Sequence, residues 1–162
     1  MNPFDLQMNP FKEIGSDWGL VLAGTAGNAN MMTVSWGAVG VIWGKNAVFV
    51  FVRNSRYTKD FIDKGGTFSL SFFDEKYRQA LALCGSKSGR DIDKWAAANL
   101  TPAENDGVVY PKEAKRAFLC RKLASISLDS VSYADSTVMP EWYPTNDFHT
   151  MYIGEIIGIV EN

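Results

Sequence analysis

The sequence predicts a mainly β protein, an antiparallel barrel or sandwich with short helical insertions. Six segments have the alternating or continuous apolar pattern of strands, three short segments in the middle have helical spacing, and the two kinds do not alternate regularly. The 162 residues are 46% hydrophobic, which is enough for one core. We therefore expect a single domain over residues 1–162, with no linker and no internal repeat.

Apolar patterns place the six predicted strands at 17–24, 31–43, 46–53, 67–73, 123–130 and 150–161. In the second segment, Met32, Val34, Trp36 and Ala38 fall on one face, opposite small and polar residues. The third segment, NAVFVFVR, is apolar on both faces, which is typical of a central strand. Glycines inside the second and last segments indicate bulges or close backbone contacts.

Three helices are predicted over 57–64, 75–84 and 91–98 from apolar residues at helical spacing. Ser88 and Asp91 have the spacing of a capping box, which predicts that the third helix begins there. The stretches 101–116 and 132–149 contain most of the prolines, so both are predicted to be long loops.

Composition argues against several classes of protein. The formal net charge of −2 lacks the broad basic face that nucleic-acid binding needs. No apolar window is long enough for a membrane span, and the first residues do not have the pattern of a signal peptide, so we expect a cytoplasmic protein. Cysteine and histidine are too sparse for a metal site. We expect Cys84 and Cys120 to be free thiols, with Cys84 more simply explained as buried than as redox-active.

Two cationic, hydroxyl-rich corners stand out in this slightly acidic chain. The first, NSRYTK at 54–59, follows a buried strand and supplies Arg56 and Lys59 next to Arg53. Ser55 or Thr58 is placed to cap the helix that follows, and helix N-termini bind anions readily.

The second corner, GSKSGRD at 85–91, has the same composition. Gly85 and Gly89 allow close backbone approach, and Ser86 and Ser88 supply donors. Arg90 and Lys94, four residues apart, share a helix face. Two such corners favour one phosphate held between them over ordinary helix capping with solvated cations. Neither the P-loop spacing nor a G-x-G-x-x-G motif is present, which argues against nucleoside triphosphate and Rossmann dinucleotide sites.

Four stretches together resemble the flavin reductase-like FMN-binding split-barrel family, especially its flavoredoxin-like branch. They are NANMMTVSWGAVGVIW, VFVRNSRYTKDFI, LALCGSKSGRDIDKW and HTMYIGEI, in this order along most of the chain. The resemblance implies a six-stranded antiparallel split barrel, FMN as cofactor, and a homodimer with flavin at the subunit interface. The stretch 132–148 matches poorly.

The resemblance also implies site residues. Asn30, Thr33, Ser35 and Trp36 would lie along the flavin ring and ribityl chain, and Arg56, Thr58, Ser88 and Lys94 would serve the phosphate. His149, the only histidine, would lie near the flavin as the candidate catalytic residue. The full expected cofactor-binding set is Asn30, Thr33, Val34, Ser35, Trp36, Arg53, Ser55, Arg56, Tyr57, Thr58, Ser86, Ser88, Gly89, Arg90 and Lys94. From pattern alone, Trp36 is equally a core residue, and an isolated histidine is more often a satisfied polar group.

The resulting prediction is an FMN-dependent oxidoreductase that takes hydride from NADH or NADPH and passes electrons to free flavin or another acceptor. Because the cofactor carries the redox chemistry, no catalytic acid or base is required of the protein. Two alternatives stay open. One is an FMN electron carrier that serves a redox partner protein with little nicotinamide activity, and the other is a flavin-binding module without turnover.

Overall fold

Seven strands form one antiparallel sheet in the computed structural model, which describes residues 1–162. The strands are β1 (Gly19–Thr25), β2 (Asn28–Val34), β3 (Gly37–Ile42), β4 (Lys45–Arg53), β5 (Thr67–Phe72), β8 (Arg116–Ser127) and β9 (His149–Glu161), with β6 (Pro102–Asn105) and β7 (Val108–Pro111) as a separate hairpin. Their order in the sheet is β2-β1-β5-β8-β9-β4-β3. The mainly β, split-barrel fold class predicted from the sequence is confirmed.

Four α-helices lie outside this sheet. They are α1 (Tyr57–Lys64), α2 (Arg78–Ser86), α3 (Lys94–Ala98) and α4 (Val138–Trp142). A π-helical segment, Phe11–Ser16, precedes β1, and a 3-10 turn, Glu75–Tyr77, precedes α2. No helix has both the length and the apolar character needed to cross a membrane.

The segment 31–43, predicted as one strand, is divided into two. Its first part belongs to β2, which pairs with β1, and its second part is β3, which pairs with β4. Since β2 and β3 lie at opposite ends of the sheet order, the chain passes from one sheet edge to the other at Ser35 and Trp36. The alternating apolar pattern continues through this corner, which is why the sequence suggested six strands rather than seven.

The prediction of a long loop over 101–116 is wrong, because this stretch contains the β6–β7 hairpin. Asp106 and Gly107 form its turn with φ of 51° and 72°, a backbone conformation that Asp-Gly pairs adopt readily. Val108 and Val109, the first residues of β7, are buried. Proline is tolerated here because Pro102 and Pro111 lie at the ends of the two short strands.

Other element boundaries also differ from the predictions. The fifth predicted strand, 123–130, is the second half of β8, which begins at Arg116. The loop 132–149 contains α4. The third predicted helix starts at Lys94, where Asp93 accepts hydrogen bonds from two backbone N–H groups as its N-cap. The Ser88–Asp91 capping box does not form, since Ser88 accepts from the backbone N–H of Arg90 in a tight turn.

Two apolar clusters determine where the helices lie. The larger fills the inside of the sheet with 16 buried residues, among them Val50, Phe68 and Phe118. The second packs α2 and α3 against β1 and β2, with Met31 and Cys84 fully buried at the contact. This second cluster holds the carboxyl end of α2 beside β2. Both cysteines are free and buried, and the burial of Cys84 was predicted.

Arg116 joins the N-terminal segment to the sheet. The guanidinium group donates to Glu161 at 2.6 Å, Glu13 at 3.0 Å and the Gln7 carbonyl at 3.0 Å. Its side chain is 7% exposed, so these partners replace water around the charge. The three contacts tie the π-helical segment to the end of β9.

Replacing Arg116 with methionine tests this connection. We expect the free energy of unfolding to fall by about 2–3 kcal/mol, because two half-buried carboxylates lose their charged donor. The matched control is Arg121→Met on the same strand, where the Glu155 pair is 59% exposed on the arginine side and should contribute less than about 1 kcal/mol. Urea denaturation measures both variants, and equal losses would contradict the proposed role of Arg116.

Candidate functional site

The two cationic corners meet at one small cleft, here called the anion cleft. It has a volume of about 120 Å³ and lies between the start of α1 and the loop that follows α2. Its lining consists of Asn30, Ser55, Arg56, Tyr57, Thr58, Ser86, Lys87, Ser88, Gly89 and Lys94. None of these residues is acidic. The first N–H groups of α1 have no acceptor within the helix, which adds backbone donors to the cleft.

Two cations of the anion cleft, the buried Lys94 and the half-buried Arg56, share the carboxyl end of α2. Lys94 donates to the carbonyls of Met31 at 2.8 Å and Cys84 at 2.9 Å. Arg56 donates to the carbonyls of Gly85 at 2.7 Å and Cys84 at 3.2 Å. A lysine ammonium has three N–H donors and an arginine has five, so both cations keep free donors. These can bind an anion in the cleft.

Burial makes both charges costly in the absence of an anion. Lys94 is only 4% exposed, and burial, reinforced by the neighbouring Arg56 charge, lowers the pKa of Lys94 to about 8. Burial also lowers the pKa of Arg56 from its ordinary value. Burial raises the pKa of the nearby Cys84 thiol to about 11, so this residue stays protonated at neutral pH and does not neutralise the cations. An anion in the cleft would supply that missing charge.

A close backbone contact shapes the cleft. Asn30 on β2 donates from its side-chain amide to the hydroxyl of Thr58 at 2.8 Å, which joins β2 to α1. A Cβ atom on Gly89 would lie 1.9 Å from the side-chain oxygen of Asn30, so a larger residue there would have to displace the Asn30 side chain that is bonded to Thr58. Thr58 and Asn30 are both buried. Neither Ser55 nor Thr58 caps α1, because Thr58 accepts from Asn30 and Ser55 donates to Asp147 at 2.6 Å.

A second cleft, the aromatic cleft, continues from the anion cleft through Arg56, which lines both. It measures about 250 Å³ and is lined by Met32, Thr33, Val34, Ser35, Trp36, Phe51, Arg53, Arg56, Trp142 and His149. Thr33, Val34 and Ser35 also line a cleft of about 370 Å³ against α2, on the side of Trp18. The end of β2 is therefore open on two sides, with space for a planar group.

Trp36, Trp142 and His149 build one wall of the aromatic cleft, and Tyr143 lies behind His149. Trp36 lies between Trp142, with ring centroids 5.0 Å apart, and His149, at 4.7 Å. The Tyr143 hydroxyl lies 3.0 Å from Nδ1 of His149. Trp36 is thus a site-lining residue at the sheet corner, because the chain leaves β2 before it.

The segment that carries Trp142 is held against the site by two residues of the first cationic corner. Arg53 donates to the carbonyls of Asp147 at 2.7 Å and Trp142 at 3.3 Å. Ser55 also donates its backbone N–H to the carboxylate of Asp147. The first corner, together with Arg53 just before it, therefore contributes to both clefts. Arg53 is directed to the 142–147 segment rather than to the anion cleft.

His149 is 8% exposed, and burial is the main reason that its pKa falls to about 4. The positive charge of Arg53 lowers this pKa further, while Asp147 opposes the shift. The imidazole is therefore neutral at physiological pH. It is suited to hydrogen bonding rather than to carrying positive charge.

Of the predicted site residues, all but Arg90 line one of the two clefts. Arg90 lies outside them, paired with Asp60 at 3.0 Å and stacked on the Tyr57 ring. Lys59 is paired with Asp63 and also lies away from the anion cleft. Lys87, Met32 and Phe51 line the clefts but were not among the predicted site residues. Trp142 lies in the poorly matching stretch 132–148, which the sequence suggested could either admit the nicotinamide or occupy its place.

One known protein family matches most of the chain. Its model, described as "Flavin reductase like domain", matches residues 12–162. No curated protein sequence matches the chain.

Three solved structures share the fold at low sequence identity. Flavoredoxin from Methanosarcina acetivorans is 22% identical, with a TM-score of 0.69 over 90% of this chain and 68% of that one. An FMN-binding protein from Thermus thermophilus with bound p-hydroxybenzaldehyde is 20% identical, with a TM-score of 0.68 over 90% and 71%. The styrene monooxygenase flavin reductase from Pseudomonas putida S12 is 16% identical, with a TM-score of 0.63 over 90% and 79%.

The lowered pKa of Lys94 gives a test of the anion cleft with sulfate, which stays a dianion across the pH range used. Sulfate affinity should fall by about tenfold between pH 7 and pH 9.5, because Lys94 loses its proton as pH rises past about 8 and a charge-assisted contact is lost. Isothermal titration calorimetry measures this change.

The variant Lys94→Met should bind sulfate weakly and without this pH dependence. Lys59→Met, the matched control on α1, should behave as the wild type because Lys59 is paired with Asp63 outside the cleft. A wild-type affinity that does not change with pH would contradict the assignment of Lys94 to the anion.

Proposed function

The chain belongs to the flavin reductase-like domain family of FMN-binding split-barrel proteins, and from this premise we propose that it is an FMN-dependent oxidoreductase. Its reductant is NADH or NADPH, and its acceptor is free flavin or another small oxidant. The main support is that the anion cleft, which has no acidic lining residue, lies next to the aromatic cleft along the end of β2, and Arg56 lines both.

The residues of the anion cleft fit the phosphate monoester of FMN. The buried Lys94 and the half-buried Arg56 supply positive charge, and the hydroxyls of Ser86 and Ser88 together with the start of α1 supply neutral donors. A volume of about 120 Å³ suits one phosphate group rather than a nucleoside diphosphate chain. These features support FMN over FAD as the resident cofactor.

The end of β2 fits the flavin ring. Thr33 and Ser35 have short side chains on the open face, and Trp36 and His149 supply an aromatic wall. Bound FMN would supply the redox chemistry by accepting hydride, while the protein binds and orients it. The protein's own contribution is neutral hydrogen bonding from His149 and exclusion of water by Trp36 and Trp142.

A second candidate function, electron transfer to a partner protein, is favoured by one specific feature. Trp142 packs edge-on against Trp36, and Arg53 holds the Trp142 backbone in place. With this contact in place the aromatic cleft has a volume of about 250 Å³, which leaves little room for a nicotinamide beside a flavin ring. If this segment stays closed, only electrons and not hydride from a nucleotide could reach the cofactor.

We propose further that two copies of the chain associate. β2 and β3 are the two edges of the sheet, and each leaves one row of backbone groups unpaired. Val41 and Trp43, at the end of β3, are 71% and 64% exposed, an unusual position for large apolar side chains. Association through this region would cover these apolar side chains.

The reductase and the electron carrier differ in one spectroscopic experiment. The purified protein should be yellow or become yellow with added FMN, and anaerobic NADH or NADPH should bleach the flavin band rapidly, with turnover once free flavin is supplied. Bleaching by dithionite but by neither nucleotide would favour the electron carrier. A protein that stays colourless after incubation with FMN would overturn both functions.

Association is tested by size-exclusion chromatography with light scattering. We expect a mass of twice the 18.0 kDa chain at micromolar concentration, because the exposed apolar residues are covered in the dimer. Trp43→Glu should shift the mass toward the monomer, whereas Phe4→Glu, at a still more exposed aromatic far from β3 in sequence, should not. A flavin-saturated wild-type monomer would contradict the proposal.

A further inference from the structure

Tyr143 is buried, although it lies in the segment of the chain with the fewest regular elements. Its ring is 4% exposed and stacks on Phe148, with centroids 4.7 Å apart and planes 26° apart. Its backbone N–H donates to Met139, and its carbonyl accepts from Asn146. The Arg53 guanidinium lies 5.7 Å from the ring centroid. The hydroxyl is therefore fixed in position, 3.0 Å from Nδ1 of His149.

The direction of this hydrogen bond follows from what each group can otherwise reach. The Tyr143 hydroxyl has no other acceptor in the protein, so its hydrogen would be left unsatisfied if Nδ1 of His149 were the donor. With Tyr143 as donor, both atoms are satisfied. Burial raises the pKa of Tyr143, which keeps the hydroxyl protonated. Nδ1 is then the acceptor, and the imidazole proton lies on Nε2.

Nε2 of His149 has no hydrogen-bond partner in the protein. The only sealed side-chain polar atom without a partner is the hydroxyl of Ser71, so Nε2 is not closed off from solvent. His149 lines the aromatic cleft beside Trp36. A polar atom that is open only toward a cleft is available to a ligand there.

We propose that Tyr143 is a positioning residue that holds His149 in its Nε2–H tautomer, so that the imidazole offers the aromatic cleft an uncharged hydrogen-bond donor. The ligand group it suits is a carbonyl or ring-nitrogen acceptor of a planar heterocycle. This assignment of a ligand rests on the proposed flavin function, whereas the tautomer does not. A histidine ring is usually oriented by a carboxylate or backbone carbonyl that accepts a hydrogen bond from Nδ1–H. Here the Tyr143 hydroxyl is in that place and donates to Nδ1, so the proton lies on Nε2 instead.

A neutral donor and a charged one have different consequences for the ligand. An imidazolium would stabilise negative charge on the ligand strongly and would repel Arg53 and Arg56, which line the same cleft. A neutral N–H contributes direction with little charge. Because Tyr143 keeps the proton on Nε2, His149 can donate a hydrogen bond into the cleft while it stays uncharged beside Arg53 and Arg56.

The single histidine makes this tautomer directly measurable. In long-range ¹H–¹⁵N correlation spectra at pH 7.5, the wild-type protein should show one imidazole with a protonated Nε2 and an unprotonated Nδ1. Tyr143→Phe should move both nitrogens toward the averaged shifts of mixed tautomers. Tyr133→Phe is the matched control, because that hydroxyl bonds the Leu128 carbonyl instead. A wild-type Nδ1–H tautomer, or a Tyr143→Phe spectrum identical to wild type, would overturn the inference.

Ligand measurements on the FMN-loaded protein then identify the acceptor. If the acceptor lies on the flavin, Tyr143→Phe should weaken FMN binding by about tenfold, and if it lies on the nicotinamide, the KM for the nucleotide should rise with kcat unchanged. An altered tautomer with neither change would overturn the ligand assignment. A protein that binds no flavin at all would refute the proposed function, while the wild-type tautomer would still decide the role of Tyr143.

Discussion

The position of one buried and one half-buried cation beside one helix end is the constraint on which the rest of the site depends. Lys94 and Arg56 both donate to the carboxyl end of α2, and their shared acceptor is the Cys84 carbonyl. A helix carboxyl end carries partial negative charge and unpaired carbonyls, so cations stabilise it. The helix end alone accounts for where the two cations lie. It does not balance their charge, because no acidic residue lines the cleft. We propose that a bound phosphate completes the charge balance.

The same contacts connect elements that are distant in the sequence. Lys94 joins α3 to β2 across 63 residues, and Arg56 joins the start of α1 to the end of α2 across 29 residues. Asn30 joins β2 to α1. The anion cleft is therefore formed where three parts of the chain converge, and the aromatic cleft begins where β2 ends beside it. Arg56 and β2 line both clefts, so the two clefts share part of their walls.

Much of this arrangement could be predicted from the sequence. The strand pattern of β4 and β5, the bounds of α1, and the composition of the two cationic corners follow from local rules. The corner at Ser35 could not be predicted, since Val34, Trp36 and Ala38 continue the strand pattern across it. The role of Tyr143 depends on a hydrogen bond to His149 set by the packing of Phe148 and Arg53, and no spacing rule describes that contact. The β6–β7 hairpin was missed because its prolines outweighed the Asp106–Gly107 turn signal.

The central claim is that Lys94 and Arg56 recognise a phosphate monoester, and riboflavin, which lacks that phosphate, tests it most directly. Fluorescence titration of the flavin-free protein should show FMN binding about a hundredfold more tightly than riboflavin, as expected for two charge-assisted contacts. In Lys94→Met this preference should shrink to about tenfold or less, with riboflavin affinity nearly unchanged. Equal affinities for FMN and riboflavin in the wild-type protein would contradict the account.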